Sequence, residues 1–326
     1  MRIQFRLFSL ISIFMLAILL GHAPASEAAY PEKPIRLIVP SAPGGAPDVL
    51  MRALAQQLSL QMGVPFIVEN KPGASYVIGT MEIVRAAPDG YTLGYGNVVS
   101  LATNSSLLSS IPYQTKDLTL ISNAFRIVNI MAVNPALPVQ DVQSLIKYVK
   151  ENPGKIAFGS DGNGTTSHLG TELFKSMAGI DMLHVPYKGA TAAVTDLLSG
   201  GVHVMMMNTP VAAPHVQAGR LKAIGLSDNV RSPAFPSIPT ISEQGLTGYQ
   251  VFAWGGLVGP AKLPKEIVDR LNKEMRTALA SPAVIEKFST FGAMATPSTP
   301  NEFLELSIAE TAKWATVIKA SGAKID

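Results

Sequence analysis

Short apolar runs alternate with amphipathic helical patterns from residue 35 onward, and this alternation limits the possible folds more than any other feature of the chain. The predicted elements of this first stretch are, in order, 35–39, 47–62, 66–68, 77–87 and 92–95. The first, third and fifth have the pattern of strands and the other two that of helices, with Gly63 as a C-terminal stop. A strand–helix–strand order predicts a parallel sheet with right-handed crossovers, and therefore an α/β fold.

The alternation begins again in the middle of the chain. The predicted elements of this second stretch are strands at 126–133, 155–159, 183–185 and 202–207 and helices at 141–151, 166–178 and 190–199. The chain then becomes rich in proline, at Pro233, Pro236 and Pro239, before a strand-like run at 249–258. A second α/β unit is therefore predicted.

The C-terminal segment has helical patterns only. One helix is predicted to begin with Pro264 at its first position, and a second to begin at Pro282 and end at Gly292. Thr299 and Glu302 have the spacing of a capping box for a third helix. Three helices are therefore expected after the last strand-like run.

These C-terminal helices affect how the chain divides into domains. Amphipathic helices need a sheet to cover, and the first α/β stretch has few strands, so we expect the C-terminal segment to pack back on it. Domain 1 is then discontinuous, with residues 30–127 and 251–326, and domain 2 comprises 128–250. Two chain crossings between the domains, near 120–130 and 245–255, form a hinge in this interpretation.

The N-terminus has the pattern of a secretory signal peptide over residues 1–25. A basic start precedes a 14-residue apolar run at 7–20, and a small-x-small cleavage site ends at Ala25, with Ala28 as the alternative cleavage point. The apolar run is short for a membrane span. An uncleaved membrane anchor remains the alternative interpretation. The sequence thus predicts export of the mature chain.

The composition excludes several kinds of site. The chain has no cysteine, which rules out disulfides, thiolate metal sites and a cysteine nucleophile. No histidine pair has the spacing of metal ligands. A net charge of +3 that is scattered without runs does not indicate nucleic-acid binding. We expect a monomer with neither a metal nor a cofactor.

Two strands are each followed by a loop with glycines and then by a helix. The two stretches are "VPSAPGGAPD", with Gly44 and Gly45, and "GSDGNGTTSHL", with Gly162 and Gly164. Ligands of doubly wound sheets bind at the carboxyl ends of the strands. The first N–H groups of a helix lack intrahelical partners, and glycine lets an anion approach them closely. Two such loops that face each other across a cleft predict a site for one carboxylate, with no arginine required.

Nucleotide binding fits these loops less well. The first loop has no lysine and so is not a P-loop, and Ser167 stands where a dinucleotide fingerprint has its third glycine. Asp48, in the first helical turn, would repel a polyphosphate; we expect it to brace the N–H groups of the loop or to hold a bridging water. His168 either faces the cleft or packs. Ordinary turns between strand and helix remain the alternative for both loops.

Other candidates lie at two further strand ends. Tyr187, Lys188 and Gly189 open a helix in "VPYKGATAAV", where they line the same mouth unless the lysine is simply solvated. Asn208 ends another strand and is within reach of the cleft. The residues expected to pack in the core or the sheet are His184, His203, Met205, Met206 and Met207.

Nearly all of the mature chain resembles the substrate-binding component of tripartite tricarboxylate transporters, the Bordetella-uptake-gene (Bug) family of periplasmic solute-binding proteins. The stretches that carry the resemblance are "YPEKPIRLIVPSAPGGAPD", "ENKPGAS", "APDGYTL", "GSDGNGTTSHL", "HVPYKGA", "DLLSGGVH", "AGRLKAIG" and "FLELSIAETAKWATVIKASG". The resemblance implies a two-lobed periplasmic binding protein, type II-like, in which two doubly wound sheets are joined by a two-strand hinge and close on the ligand. It also implies large and small membrane subunits as partners.

The resemblance further implies which residues hold a small carboxylate, such as a di- or tricarboxylate, an acidic amino acid or an aromatic acid. In the first loop they are Ser41, Ala42, Gly45 and Asp48. In the second loop they are Ser160, Gly162, Thr165, Thr166 and His168. The chain departs from the family at Ser41, where many members have an aromatic residue, and at Leu101, which replaces a frequent histidine. With Tyr76 as an added aromatic surface, these departures favour an aromatic acid or a longer dicarboxylate.

The sequence therefore predicts a periplasmic, non-enzymatic protein that binds a small carboxylate for a membrane transporter. One alternative is a binding protein that reports its ligand to a two-component sensor, since both roles use the same closed shape. The other is a periplasmic hydrolase that uses Ser160 or Ser167 with His168, although the chain has no G-x-S-x-G elbow.

Overall fold

The computed structural model describes residues 30–232 and 235–324. The predicted signal peptide, with both of its cleavage points, lies outside these residues, and so does Pro233. In the described part of the chain, no helix combines the length and the apolar character needed to cross a membrane.

The described residues form one connected sheet of ten strands. Strands β1 to β10 are Ile35–Val39, Phe66–Asn70, Thr92–Asn97, Leu118–Val133, Ala157–Ser160, Leu183–Pro186, Val204–Asn208, Lys222–Leu226, Phe252–Pro260 and Ala293–Ala295. Their order across the sheet is β2-β1-β3-β9-β4-β7-β5-β6, and β8 and β10 also pair with β4. Strand β1 is parallel to both β2 and β3, as the strand–helix–strand order predicts.

Helices cover both stretches of the chain. Helices α1 to α10 are Ala46–Met62, Val77–Val84, Asn104–Leu107, Val142–Glu151, Thr166–Ala178, Ala190–Ser199, Thr209–Gln217, Lys265–Leu279, Pro282–Thr290 and Pro300–Ser321. A π-helical turn precedes α3 at Val99–Thr103, and a 3₁₀ turn lies at Thr115–Asp117.

Several predicted elements differ from the observed ones. Strand β4 begins at Leu118 and not at residue 126, and Pro264 is the N-cap of α8 and not its first residue. The helix α7 and the strand β8 were not predicted at all. Helix α7 contains Pro214 in its interior, which is a residue that ordinarily argues against a helix.

The long strand β4 belongs to two parts of the sheet. Its residues from Leu118 to Val128 pair with β9, whereas those from Asn129 to Val133 pair with β7. We call β1, β2, β3, β9 and β10 with the first part of β4 the first half-sheet, and β5 to β8 with the rest of β4 the second half-sheet. Near this change the chain also returns from β8 to β9, where the Val251 N–H donates to Ser227 O at 2.8 Å.

The C-terminal helices pack against the first half-sheet and its helices. Gln61 of α1 donates to Glu274 of α8 at 3.0 Å, and the Ser307 hydroxyl of α10 donates to Leu101 O at 2.9 Å. The predicted capping box of α10 is confirmed, because the Thr299 N–H donates to a Glu302 carboxylate oxygen at 2.8 Å and the Glu302 N–H donates to Thr299 Oγ1 at 3.2 Å.

We predict that Gly256→Ala destabilises the protein, since β9 and β4 approach too closely at this point for a side chain. A Cβ atom at Gly256 would lie 2.1 Å from Ser122 O and 2.6 Å from the Asn123 Cα atom. Such overpacking costs about 1–3 kcal/mol or more. Denaturant unfolding measures the loss, with Gly45→Ala as the control, because a Cβ there has ordinary contacts of 3.8 Å. Equal stability of the two variants would contradict the prediction.

Candidate functional site

The first glycine loop, residues 40–45, joins β1 to α1. Gly44 has a φ of +83°, and Gly45 is the N-cap of α1. No side chain of the described residues caps this helix, so its first N–H groups face the exposed loop. The Ser41 hydroxyl is buried beneath the loop and has no partner within the described residues. The loop therefore offers backbone and hydroxyl donors of the kind that bind anions at helix N-termini.

Asp48 stabilises the first glycine loop through a buried carboxylate. It is only 3% exposed, and its carboxylate accepts hydrogen bonds from the Gly44 N–H, Arg52 Nε and Asn70 Nδ2, each at 2.9 Å. Burial alone raises the pKa of Asp48, but the hydrogen bonds from Arg52, Gly44 and Asn70 outweigh it and leave the pKa below its ordinary value. The ionised carboxylate thus braces the N–H of Gly44, which is one of the two roles expected for it.

The second glycine loop, residues 161–165, joins β5 to α5 and is closed by its own polar groups. Gly162 and Gly164 have φ values of +140° and +76°. The Thr165 hydroxyl caps α5, where it accepts from the His168 N–H at 3.3 Å, and it donates to Gly162 O at 2.8 Å. The loop has a fixed shape as a result.

His168 lies inside this loop and not in an open cleft. It is 5% exposed, and its Nδ1 atom accepts the Gly164 N–H at 3.1 Å. The ring stacks on His184 with centroids 3.9 Å apart, and His184 in turn stacks on Phe158 at 4.7 Å. The Nε2 atom of His184 is 2.7 Å from the Ser160 hydroxyl, which pairs this serine with His184. His168 and His184 therefore fix the position of the second glycine loop through these contacts.

Both stacked histidines are neutral. Burial, together with the neighbouring His184 and Lys175, lowers the pKa of His168 to about 3. Burial and Lys175 lower the pKa of His184 to about 4. A neutral His168 has the free Nδ1 lone pair that the Gly164 N–H requires.

A small cavity of about 10 Å³ lies beside the second loop, which is room for about one water molecule. We call it the polar cavity. Its lining residues are Asn129, Asp161, Thr166, Ser167, Ala190, Met205, Met206, Met207, Asn208 and Val211. Asn129 and Asn208 are directly opposite each other in the β4–β7 ladder, which explains why both reach it. The cavity therefore includes Thr166 and Asn208 of the predicted site and adds Asn129, Asp161 and Ser167.

Polar atoms around this cavity lack partners. Within the described residues, neither amide atom of Asn129, nor the Ser167 hydroxyl, nor Oδ1 of Asp161 has a hydrogen bond. Asn129 is 1% exposed and Ser167 is 5% exposed. Each such buried polar group costs about 1–3 kcal/mol if it stays unsatisfied. These atoms therefore favour a polar guest.

Tyr76 lies between β2 and α2, as the N-cap of α2. Ala74, Ser75 and Tyr76 have φ values of 45°, 49° and 71°, a run of left-handed conformations that costs energy and is found at functional sites. Burial raises the pKa of Tyr76, a hydrogen bond with Asn97 lowers it, and the charge of Asp161 raises it again. Tyr76 is thus close enough to Asp161 to respond to its charge.

Other predicted residues have different surroundings. The Tyr187 hydroxyl donates to Asp196, and burial together with this carboxylate raises the pKa of Tyr187 to about 12. Lys188 is exposed, and Gly189 is the N-cap of α6. Leu101 lies in the core of the first half-sheet, next to Gly96, and not in a loop.

Sequence reasoning missed Asn129 and Asp161. Asn129 lies in a long apolar strand, where nothing in the pattern marks one polar residue as functional. The sequence does carry a signal for Asp161, since it is the only charged residue between Ser160 and His168. Within the described residues there is also no group of three or more histidine, aspartate or glutamate side chains able to hold a metal ion.

Comparisons with known proteins give one consistent result. The family model described as the tripartite tricarboxylate transporter family receptor matches residues 50–323. Protein BugT of Bordetella pertussis is 36% identical over 322 residues, which cover 98% of each chain. A UPF0065 protein in the tcbD-tcbE intergenic region of a Pseudomonas species is 33% identical and covers 89% of this chain and 87% of its own.

Solved structures of similar proteins cover most of this chain. The R. palustris protein with adipate is 33% identical, with a TM-score of 0.79 over 90% of this chain and 99% of its own. The periplasmic binding protein BugD is 31% identical, with a TM-score of 0.75 over 90% and 99%. MatC from Rhodopseudomonas palustris, with bound malate, is 27% identical, with a TM-score of 0.75 over 89% and 100%. These are two-lobed periplasmic binding proteins, and the α/β fold of this chain is the same.

We predict that Asp48→Ala loosens the first glycine loop, because it removes the acceptor of the Gly44 N–H and leaves Arg52 without its partner. The free energy of unfolding should fall by about 2–3 kcal/mol, and hydrogen exchange at the Gly44 N–H should become faster. Glu305→Ala, an exposed carboxylate on α10, is the control and should change neither quantity. Unchanged exchange at Gly44 would show that Asp48 does not hold the loop.

We predict that the free energy of unfolding decreases as the pH falls below 6.5, the ordinary pKa of histidine. Both histidines bind a proton in the unfolded chain near this pH, whereas in the folded protein His168 and His184 are protonated only near pH 3 and pH 4. The His168→Asn variant keeps an acceptor for the Gly164 N–H but has no titratable side chain at this position. It should reduce the slope of unfolding free energy between pH 6.5 and 5 by up to about 1.4 kcal/mol per pH unit.

The control for this titration is Thr171→Val, a buried change in the same helix without a titratable group. It should lower stability at every pH and leave the slope unchanged. If His168→Asn also leaves the slope unchanged, the neutral histidine stack is wrong.

Proposed function

Because this chain belongs to the tripartite tricarboxylate transporter receptor family, we propose that it captures a small carboxylate between two lobes and delivers it to a tripartite tricarboxylate transporter. The expected ligands are di- or tricarboxylates or aromatic acids. The observation that carries this proposal is the pair of glycine loops, each at the carboxyl end of a strand and the start of a helix. Similar proteins were solved with adipate and with malate.

One close contact and one electrostatic interaction support the convergence of the two loops on one guest. Gly79, three residues after Tyr76, lies so close to Pro40 of the first loop that a Cβ would be 2.7 Å from the proline Cβ. Tyr76 responds to the charge of Asp161 in the second loop. The Tyr76 segment thus lies beside the first loop and interacts electrostatically with Asp161 of the second loop.

Uncharged donors are sufficient for this function. A hydrogen bond to a charged group contributes about 1.5–3 kcal/mol, and a helix N-terminus adds about 0.3–1 kcal/mol. Three or four such bonds approach the roughly 8 kcal/mol of micromolar binding. The Ser41 hydroxyl and the N-terminus of α1, which has no side-chain cap, are donors on the first side. Thr166 and the Asn129 amide lie on the second.

The lobes in this proposal are those predicted from the sequence, 30–127 with 251–326 and 128–250. Their limits fall where β4 passes from β9 to β7 and where the chain enters β9, so both connections allow a hinge. The family and its solved relatives are periplasmic binding proteins, and the proposed signal peptide at 1–25 accounts for export. Large and small membrane subunits are the proposed transport partners.

The hydrolase alternative has no support at the candidate serines. Ser160 is fully buried and pairs with His184, and the Nδ1 atom of His168 is used by Gly164. The geometry therefore favours binding over nucleophilic attack, which needs a base next to an accessible hydroxyl.

Titration calorimetry with succinate, adipate, citrate and benzoate tests the proposed function. We expect at least one acid to bind with a micromolar dissociation constant and the neutral diamide of adipate not to bind. Ala42→Asp adds a negative charge to the exposed first loop and should weaken binding by about tenfold or more. Ala320→Asp, on the exposed surface of α10, is the charge-matched control and should bind normally.

Two results would count against this function. One is the absence of heat with every acid, and the other is equal binding of the diamide. Uptake of the bound acid by cells that lack the gene separates transport from sensing, because only a transport role predicts lost uptake.

A further inference from the structure

A surface groove of about 500 Å³ lies between helices α1 and α9. We call it the basic groove. Its lining residues are Val49, Arg52, Ala53, Gln56, Gln57, Leu60, Ala283, Val284 and Lys287. Arg52 and Lys287 are the only charged residues among them, and both are positive. The charge of the groove is therefore complementary to a partner that carries carboxylates.

Apolar side chains lie beside these two cations. Leu60 is 75% exposed, Val49 is half-buried and Ala283 is exposed. The Lys287 ammonium group lies 5.8 Å from the centroid of the Phe291 ring and forms no ion pair within the described residues. Exposed apolar side chains beside a groove are typical of protein interaction surfaces. The groove thus fits a protein segment with acidic and apolar side chains better than it fits a small ion.

Arg52 connects the basic groove to the first glycine loop. Its Nε atom donates to Asp48 Oδ1 at 2.9 Å and its Nη2 atom donates to Asn70 Oδ1 at 2.7 Å, while 48% of the side chain remains exposed. Asp48 in turn accepts the Gly44 N–H at 2.9 Å. The Nδ2 atom of Asn70 donates to Ser41 O at 3.0 Å. The guanidinium group therefore stabilises the two side chains that hold the loop at residues 41 and 44.

A carboxylate that enters the groove competes with Asp48 for Arg52. The planar guanidinium group has five N–H donors and pairs with one carboxylate through two parallel hydrogen bonds. If Arg52 turns toward such a partner, the carboxylate of Asp48 stays buried and loses its countercharge, which is costly. The loop conformation that Asp48 maintains then becomes less stable.

We propose that the basic groove binds an acidic segment of a membrane subunit and that this contact promotes release of the bound acid. The segment carries a carboxylate that pairs with Arg52 and Lys287, next to an apolar side chain that packs on Leu60. The proposal rests on the proposed function. It adds the surface of the receptor that contacts the transporter and the hydrogen bonds through which this contact reaches the first glycine loop.

Charge reversal at Lys287 tests the docking surface, because this residue lines the groove and is not part of the proposed ligand site. Cells that lack the gene receive Lys287→Glu or Lys319→Glu, the charge-matched control on the exposed surface of α10. The uptake probes are radiolabelled succinate, adipate, citrate and benzoate. We expect Lys287→Glu to reduce uptake by about tenfold or more and to keep the wild-type dissociation constant in calorimetry. Lys319→Glu should keep both.

Two further measurements identify the partner of the groove. Acidic residues in the periplasmic loops of the membrane subunits are replaced by lysine, one at a time, in cells that carry Lys287→Glu. We expect one replacement to restore uptake, and restoration by none would contradict the proposal. Sedimentation with phosphatidylglycerol vesicles tests a lipid surface instead. Vesicle binding by the wild type that Lys287→Glu abolishes would assign the groove to lipid and overturn the proposal.

Arg52→Gln tests the release step, because it removes the countercharge of Asp48 as docking is proposed to do. The bound acid should dissociate about tenfold faster in a stopped-flow displacement experiment, and hydrogen exchange at the Gly44 N–H should become faster. Arg36→Gln is the matched control, since Arg36 is 42% exposed and pairs with Glu69 and Glu82 in the same half-sheet. It should leave both rates unchanged.

Thermal unfolding confirms that each variant folds. If Arg52→Gln does not fold, Arg52→Lys replaces it, with a smaller change expected in the same direction because lysine keeps the charge and loses the planar fork.

The outcomes separate this inference from the function on which it rests. If Lys287→Glu supports wild-type uptake, or if the Arg52 variant releases the acid at the wild-type rate, the inference is wrong and carboxylate transport stands. If the wild type binds no acid of the panel and restores no uptake, both proposals are wrong.

Discussion

The hydrogen-bond register of strand β4 determines where the polar cavity lies. Its residues up to Val128 pair with β9 and those from Asn129 pair with β7, so the strand leaves the first half-sheet just before it reaches the cavity. The register sets Asn129 opposite Asn208, and β7 then places β5 and the second glycine loop beside them. A slip of one residue would turn Asn129 to the other face of the sheet. The cavity is therefore a product of strand pairing and not of loop conformation alone.

Both glycine loops are stabilised by the same kind of local hydrogen bond. In each, a glycine N–H donates to a buried side chain four residues later, Gly44 to Asp48 and Gly164 to His168. The acceptors differ in charge, because Asp48 is ionised and paired with Arg52 whereas His168 is neutral and stacked on an aromatic ring. Each brace consumes one N–H of its loop. The remaining N–H groups and the nearby hydroxyls are the ones left for a guest, and their positions are fixed before it arrives.

The sequence predicted the regular elements well where their pattern was strong. The bounds of β1, α5 and α6 were predicted correctly, because a clear apolar period ends at glycine, threonine or proline signals. Helix α7 was missed since its prolines, Pro210 and Pro214, suppress a helical prediction that tertiary packing overrides. The position of the loops was visible in the sequence. The role of His168 was not, because the contact of its Nδ1 atom with Gly164 depends on how the loop folds back over the helix.

The polar cavity is built almost entirely on one side of the hinge proposed above. The lining residues Asn129, Asp161, Ser167 and Asn208 all belong to the second half-sheet and its loops. The proposed hinge motion would leave the β4–β7 ladder intact, so these four side chains would keep their arrangement. A ligand that enters the open site can thus bind first to the rigid polar groups of the second half-sheet. In the closure that we propose, the first loop then adds donors and excludes water, which strengthens every charge interaction already made. In such an order the second half-sheet decides which ligand is chosen, and the first decides how long it stays.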